Sequence, residues 1–509
     1  MEPTGNLESE QKYDAETSTP LPALLEVPGV ERVSEPVTDH LEAVYFDTPA
    51  LALASRRITL RRRTGGTDDG WHLKFPAGPD QRRELHAPLG QPETVPEELA
   101  DHLHVYTRGE HVIPVARLSS QRTTYWLYGP GGEHLADFAD DRVQAQALHP
   151  PGPGMACREW EFELVHGAPR LFTAAEATLT ATGAGRSRHT SKLARALGDA
   201  WPPEHVPRNR GPRKKAPRKK GPATDVVTAY LGEQITELLT HDPGVRLGRP
   251  DAVHQMRSAT RRSRSALATY RRLFRKTSVR RLRDELKWLA SILGPPRDAE
   301  VMRERLRQHV RELPKGLGHG PIREPIEHEL GTAYNAGYKR VLKTLETGRY
   351  YRLLEDLEDF RDYPPATARA SRPARKTTTK LVNKDAQRLD RAHQTAADSG
   401  DGTSHDTALQ QVRKDAKRLR HAAESVTAIH GKRARTLAKA AKRLEKVLGH
   451  HQDSVKARAF LSHLAAAPDL PGRTALAYRR IEGVEERLAQ AAEAKYLKIR
   501  KKAYGIRLD

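Results

Sequence analysis

Two periodicities divide the chain. Over residues 1–200, apolar and polar positions alternate in short runs separated by Gly, Pro and Asp turns. Successive side chains of a strand point to opposite faces, so this pattern predicts an antiparallel β structure able to close into a barrel. Residues 21–27 and 96–105 read as short connecting helices. Over 224–509 the alternation stops and apolar positions recur at helical spacing. Residues 201–223 place Pro202, Pro203, Pro207, Pro212, Pro217 and Pro222 among Arg213-Lys214-Lys215 and Arg218-Lys219-Lys220. Proline removes helix and sheet options and like charges repel, so this stretch reads as an extended tether with incidental anion affinity. The expected fold is a two-domain α+β chain: an antiparallel β-barrel or tunnel over 1–200, then an all-α, internally repeated helical bundle over 224–509.

Charge follows the alternation. In 57–63, Ile58 and Leu60 share one face while Thr59, Arg61 and Arg63 share the other. His72 and Lys74 oppose Trp71, Leu73 and Phe75; Arg82, Glu84 and His86 alternate with Arg83 and Leu85. Arg117 and Arg122 lie on later strand-like runs, and in 158–164 Glu159, Glu161 and Glu163 oppose Trp160 and Phe162. At the start of the chain Glu8, Glu10 and Lys12 point one way. At a rise of roughly 3.4 Å per residue the two carboxylates stand about 7 Å apart. They can share a hard divalent cation, and the lysine suits a phosphate oxygen. An ordinary half-buried sheet also turns charges to one side. Here the charges are sorted by strand, with Glu8, Glu10, Glu161 and Glu163 on acidic strands and Arg61, Arg63, Lys74 and Arg122 on basic ones. Turned inward, they make a cationic bore holding a carboxylate cluster, which suits a metal-bound polyphosphate group.

Composition narrows the partners. The 509 residues carry a net charge of +22, which favours polyanions. Cys157 is the only cysteine, so no intrachain disulfide forms. Residues 1–11 hold neither a basic n-region nor an apolar h-region, and no run of about 18 apolar residues occurs, so a cytoplasmic protein without a membrane span is expected. Aromatic residues are 6%, and we see neither a base-stacking platform nor a zinc pattern, which argues against specific nucleic-acid recognition.

The helical half repeats itself. His254-Gln255-Met256-Arg257-x-x-x-Arg261-Arg262-x-Arg264 returns as Gln410-Gln411-Val412-Arg413-x-x-x-Lys417-Arg418-x-Arg420. Leu289-x-x-Ile292-Leu293-Gly294 with Asp298 returns as Leu444-x-x-Val447-Leu448-Gly449 with Asp453, and Tyr338-Lys339-Arg340 has an echo in Tyr478-Arg479-Arg480. Each copy reads as helix, loop, helix, glycine stop, aspartate cap, helix, with Gly294 and Gly449 as left-handed C-terminal caps and Asp298 and Asp453 as N-caps. His254, Arg257, Arg261 and Arg264 fall on one helical face, and Arg413, Lys417 and Arg420 repeat it. Two such faces brought together make a positive groove for a polyanion. Residues 364–379 and 397–404 read as connections.

The first 200 residues resemble the CYTH superfamily, the triphosphate tunnel enzymes. Glu8-x-Glu10-x-Lys12 matches its E-x-E-x-K signature, Tyr45-Phe46-Asp47-Thr48 its second strand, Leu60-Arg61-Arg62-Arg63 its L-R-x-R strand and Lys74 the lysine that follows. Glu161-Phe162-Glu163 is similar to its late E-x-E strand and Ser191-Lys192 to its closing S-K; Asp140, or else Asp137, corresponds to its strand-end aspartate. The resemblance implies metal-assisted attack of water on a terminal phosphoryl group. Glu8, Glu10, Glu161, Glu163 and Asp140 would hold Mg²⁺ or Mn²⁺. Arg61, Arg63, Lys74, Arg122 and Lys192 would hold the triphosphate. Glu10 and Lys12 would act at the reacting centre, with Lys12 either contacting phosphate or tuning the water. Ser9 and Gln11 depart from the apolar residues of the family's first strand, which is expected to loosen that strand and keeps a catalytically inactive barrel as an alternative. The superfamily also includes nucleotide cyclases.

Residues 224–509 resemble a CHAD domain, a two-fold repeat of helical bundles. Its members bind inorganic polyphosphate through helix-borne basic residues, here His254, Arg257, Arg261, Arg262, Arg264, Arg413, Lys417, Arg418 and Arg420. Gln410 stands where the second repeat has a histidine and His421 where it has a tyrosine, so binding in the second lobe is expected to differ. The expected partner is inorganic triphosphate or polyphosphate.

Overall fold

The computed structural model describes residues 4–78, 80–203, 217–314, 320–400, 402–468, 470–503, 505, 507 and 508. It divides into two compact units, Met1–Val206 and Pro207–Asp509. In chain order the first unit contains β1 (Thr4–Ala15), β2 (Arg32–Val33), β3 (Val37–Asp47), β4 (Thr59–Thr64), β5 (Gly70–Gly78), β6 (Gln81–Ala87), α1 (Glu97–Thr107), β7 (Ile113–Tyr128), β8 (His134–Ala147), β9 (Met155–Leu164), α2 (Arg170–Ala181), β10 (Gly185–Arg186) and α3 (Lys192–Leu197). Of the expected helix at 21–27, only a 3₁₀ turn at Leu24–Glu26 forms.

Eight strands close a barrel in the order β1-β6-β5-β4-β3-β7-β8-β9, with β9 returning to β1 and every pair antiparallel. Its outer face is oily. Tyr13, Phe138, Trp160 and Phe162 pack under Leu171, Phe172 and Leu179 of α2. Leu60, Trp71, Leu73 and Leu85 pack under Leu99 and Leu103 of α1. Burying each such side chain stabilises by about 1.5–3 kcal/mol. At one end of the interior Ala43, Tyr45, Leu118, Val143 and Ala145 pack with Leu193, Ala196 and Leu197 of α3. The charged residues fill the rest of the interior. β1 keeps its register through Ser9 and Gln11, pairing with β6 as far as Ser9 and with β9 from Ser9 onward. Ser9 lies opposite Gln81 and Leu164, while Gln11 is buried, accepting from Tyr13 Oη and donating to Asp80 Oδ2, both at 3.0 Å.

The second unit is helical: α4 (Ala223–Arg246), α5 (Ala252–Thr269), α6 (Lys276–Ile292), α7 (Gly294–Arg311), α8 (Gly320–Leu345), α9 (Gly348–Asp362), α10 (Ala374–Ala397), α11 (Thr403–Glu424), α12 (Thr427–His430), α13 (Lys432–Ala465) and α14 (Gly472–Ala503). Much of the expected tether, 204–216, lies outside the described residues. Its last residues are not extended free chain. Lys219 O accepts from Arg375 N at 3.0 Å, Gly221 O from Ala374 N at 2.8 Å, and Ala223 N donates to Arg372 O at 3.0 Å, so backbone pairing fastens them to the helical unit.

Four expected caps are corrected. Gly294 opens α7 and Gly449 lies inside α13, as do Asp298 in α7 and Asp453 in α13. A Cβ on Gly294 would stand 3.9 Å from Arg257 Nη2, and one on Gly449 3.7 Å from Arg413 Nε. The glycines therefore lie against the guanidinium of their own repeat, and neither terminates a helix. The break between α6 and α7 comes from Pro295-Pro296, which have no N–H to continue a helix and suit its first turn. His450-His451 at the same place in the second repeat do carry N–H groups, and α13 runs through for 34 residues.

Candidate functional site

Alternation on closed strands gathers the predicted residues of the barrel. Glu8, Glu10 and Lys12 from β1, Thr59, Arg61 and Arg63 from β4, Lys74 from β5, Arg122 from β7, Glu161 and Glu163 from β9, and Lys192 at the start of α3 line one cavity of about 80 Å³. Tyr45, Asp68, Arg82 and Thr190 line it too. Ser191 caps α3 by accepting from Ala194 N at 3.1 Å, which sets Lys192 on the first turn and aims it into the bore.

Glu161 is the hub. Lys12 and Arg122 both bond its carboxylate, and Lys192 Nζ lies 2.6 Å from it. Burial works against its ionisation, but Lys12, Lys192 and Arg122 hold its pKa well below the usual carboxylate range. Arg122 is bidentate to Asp141 at 2.8 and 2.6 Å. Lys192 also lies 2.8 Å from Asp141 and 3.0 Å from Glu159. Lys12 reaches Glu10 at 3.3 Å. Burial works against its charge, yet Glu10 and Glu161 raise its pKa, so Lys12 keeps its proton.

Across the bore the balance reverses. Glu10 and Glu163 are directly opposed on β1 and β9, and like charges so placed repel. Burial, then Glu8, push the Glu163 carboxyl up to about 8. Glu8 is raised by burial and by its hydrogen bond with Glu84, although Lys74 bonds it. Glu8 and Glu10 each have one lysine and Glu163 has no ion pair among the described residues, while Glu161 is shared by three cations.

Asp140 is a correction. On β8, Asp137, Ala139 and Asp141 face Glu163, Glu161 and Glu159 respectively, so Asp140 turns the other way. Its carboxylate takes Arg158 Nε and Nη2, each at 2.8 Å, and Trp160 Nε1 at 3.0 Å. The bore aspartate beside Arg122 and Lys192 is Asp141, opposite Glu159 in the β8–β9 register. Carboxylate oxygens of Asp141, Glu159 and Glu161 lie within 4.8 Å of one another, so the bore contains acidic clusters that could bind a metal ion. In that one Lys192 already supplies the positive charge.

The helical unit brings its two stripes together. α5 packs on α11, and His421 Nδ1 lies 3.1 Å from Ser265 Oγ, positions equivalent in the two repeats. Burial, with Arg257 and Arg413 alongside, lowers Arg261 to about 10; burial and Arg261 lower Lys417 to about 8. Among the described residues, Arg257, Arg262 and Arg413 each keep a buried Nε–H without an acceptor, and such donors point to an anion. Arg264 and Arg418 both face Arg283. His254 is lowered by burial and Arg297, so its imidazole is neutral near pH 7. Gln410 accepts from Lys414 at 3.2 Å, and His421, held neutral by burial and Arg420, accepts from that guanidinium at 2.8 Å. The alignment of charges did not reveal Glu445, which pairs with Lys417 at 2.8 Å and Arg420 at 2.9 Å, or Asp385, 2.9 Å from Arg418. Both acids come from helices outside the repeated basic motif.

Among known families, a CYTH domain profile matches residues 10–196 and a CHAD domain profile residues 229–462. An uncharacterized protein of Mycobacterium tuberculosis (strain CDC 1551 / Oshkosh) is 37% identical over 502 residues, 96% of this chain and 94% of that one. Among solved structures, PptA from Streptomyces chartreusis is similar at 21% identity and a TM-score of 0.47, over 55% of this chain and 99% of that one. The CHAD domain from the plant Ricinus communis is similar at 21% identity and a TM-score of 0.43, over 58% of this chain and 96% of that one.

Proposed function

The chain belongs to the proteins in which a CYTH domain precedes a CHAD domain, and from that premise we propose that its barrel hydrolyses a triphosphate with a divalent metal, while its helical unit binds polyphosphate. The observation that carries this reading is a bore with Arg61, Arg63, Lys74, Arg122 and Lys192 on its walls, where Glu10 of β1 lies opposite Glu163 of β9 and Glu8 lines the same cavity.

Each chain residue has a chemical task. Among the described residues, Arg61 keeps a buried Nε–H without an acceptor and, with Arg63, offers fork-shaped donors to phosphate oxygens. Arg122 and Lys192 exchange part of their carboxylate contact for the incoming anion. Lys12, fixed as a cation, neutralises charge on the transferred group. Glu8, Glu10 and Glu163 are hard oxygen donors with fewer cations about them than Glu161, and they would hold Mg²⁺ or Mn²⁺. When bound, such an ion screens phosphate charge and lowers the pKa of its water. Glu10 is kept ionised: burial opposes this, but Lys12 outweighs it, so its carboxylate can orient a water hydrogen. Phosphoryl transfer asks mainly for this kind of positioning and charge stabilisation.

The test is phosphate release from inorganic triphosphate with Mg²⁺ or Mn²⁺, comparing the natural chain with Glu8→Gln/Glu10→Gln. A loss on the order of a hundredfold or more is expected, the scale of removing a main electrostatic group from an active site. Equal rates would remove the metal from these residues.

A further inference from the structure

We propose that Asp68, His72 and His86 form a second metal site, for a borderline divalent cation of the Zn²⁺ or Co²⁺ type, at the turn joining β4 to β5. His72 and His86 are cross-strand partners on β5 and β6, with ring centroids 4.9 Å apart. Asp68 Oδ1 lies 3.7 Å from His72 Nε2 and 3.9 Å from His86 Nε2. The ligating atoms of all three lie within 4.8 Å of one another. An ion bound at about 2.0–2.1 Å from each donor needs only a small contraction of this triangle.

The hydrogen bonding of His72 is the independent sign. Its Nδ1 is 2.8 Å from Glu84 Oε1 and its Nε2 is 3.1 Å from Asp68 O, an acceptor at each end. A neutral imidazole has one N–H and cannot satisfy both. With Nδ1–H donated to Glu84, a cation at Nε2 relieves the remaining repulsion. A carboxylate behind a ligating histidine is the usual supporting contact of a metal site. The turn is shaped to permit this approach: Gly70 has φ +153°, and a Cβ there would come within 2.3 Å of His86 Nε2. Arg63 also bonds Asp68, aiming its carboxylate toward the two rings. Imidazole donors select against Mg²⁺, which prefers oxygen.

The experiment uses the full chain, stripped of metal and held in excess Mg²⁺ so that oxygen-only sites are filled. Co²⁺ is titrated and its visible d–d absorption followed. One equivalent is expected to give the bands of nitrogen coordination, reversed by Zn²⁺. Asp68 and His86 have side chains 57% and 34% exposed, so Asp68→Asn and His86→Ala should fold, and each should weaken Co²⁺ at least tenfold. Glu84→Gln should weaken it by about 10–100-fold through His72. Absence of the bands in the natural chain, or unchanged affinity in both Asp68→Asn and His86→Ala, overturns the site. Phosphate release from triphosphate is measured separately, because Asp68 also lines the bore and bonds Arg63, whereas Co²⁺ affinity reads the histidine site alone.

Discussion

Replacing Glu161 by Gln tests whether this carboxylate is a counter-ion or a metal ligand. The change keeps shape and removes one negative charge from among Lys12, Arg122 and Lys192. Removing one partner of a buried ion network typically costs about 3–5 kcal/mol. Each cation here keeps another acceptor: Lys12 has Glu10 at 3.3 Å, Arg122 has Asp141 at 2.6 Å, and Lys192 has Asp141 at 2.8 Å. The expected cost is therefore near the lower limit, about 3 kcal/mol, or about 6–12 °C in Tm for a unit of this size at 2–4 °C per kcal/mol. Thermal scans of the full chain, with tryptophan fluorescence reporting Trp71 and Trp160 in the barrel, would read it. Inorganic triphosphate should raise the variant's Tm more than that of the natural chain, because three cations then share one counter-ion fewer and bind the anion more tightly. The sign with pH is fixed as well. A carboxylate depressed in the folded state stabilises fully above its ordinary value of 4.5, and that contribution is lost as pH falls through the folded pKa, so the gap between the chains closes in acid. An unchanged Tm at neutral pH, or a smaller triphosphate shift in the variant, would refute the reasoning.

Two further predictions concern groups shifted the other way. Glu163, raised to about 8, contributes stability that is complete below its ordinary 4.5 and is lost as pH rises through about 8. Glu163→Gln should therefore gain Tm relative to the natural chain between pH 5 and 8, and parallel Tm–pH curves would contradict the assignment. Lys417, lowered to about 8, should lose its charge as pH rises through that value and weaken long-chain polyphosphate binding. Lys417→Arg keeps the charge, so a natural-chain pH slope in that variant would show that another group is responsible.

The barrel was legible because its signal is two-fold. Each strand carries one charged and one oily face, and only closure with the charges inward accommodates both Trp160 outside and Glu161 inside. The Asp140 reading failed where two adjacent aspartates offered either parity, and only the register of β8 on β9 decides between them. The glycines misled because neither takes the left-handed conformation that a C-terminal cap uses, and the sequence around a glycine does not show that. His72 and His86 stand too far apart in sequence to read as a metal motif, and only the β5–β6 pairing joins them. The polar Ser9 and Gln11 looked like weak packing, yet a buried amide with partners on both sides supports a strand as a small apolar residue would.

The two stripes of the helical unit are repeated in sequence but not in charge balance. Alignment of Leu289 with Leu444 sets Ala290 opposite Glu445. The second stripe therefore has an internal carboxylate on Lys417 and Arg420 that the first lacks at the equivalent position. Arg418 is held by Asp385, whereas Arg261 is driven down by burial and then by Arg257 and Arg413 beside it. A polyanion laid across α5 and α11 would gain most at Arg261 and Arg413, and less at Arg257, whose Nη1 already lies 3.0 Å from Asp298 Oδ1, or where it must displace Glu445. The asymmetry expected from Gln410 and His421 is then small beside the one set by Glu445. Gln410 replaces a histidine whose counterpart His254 is neutral near pH 7, so little charge is lost there. Glu445 instead adds a full negative charge within hydrogen-bond reach of two cations.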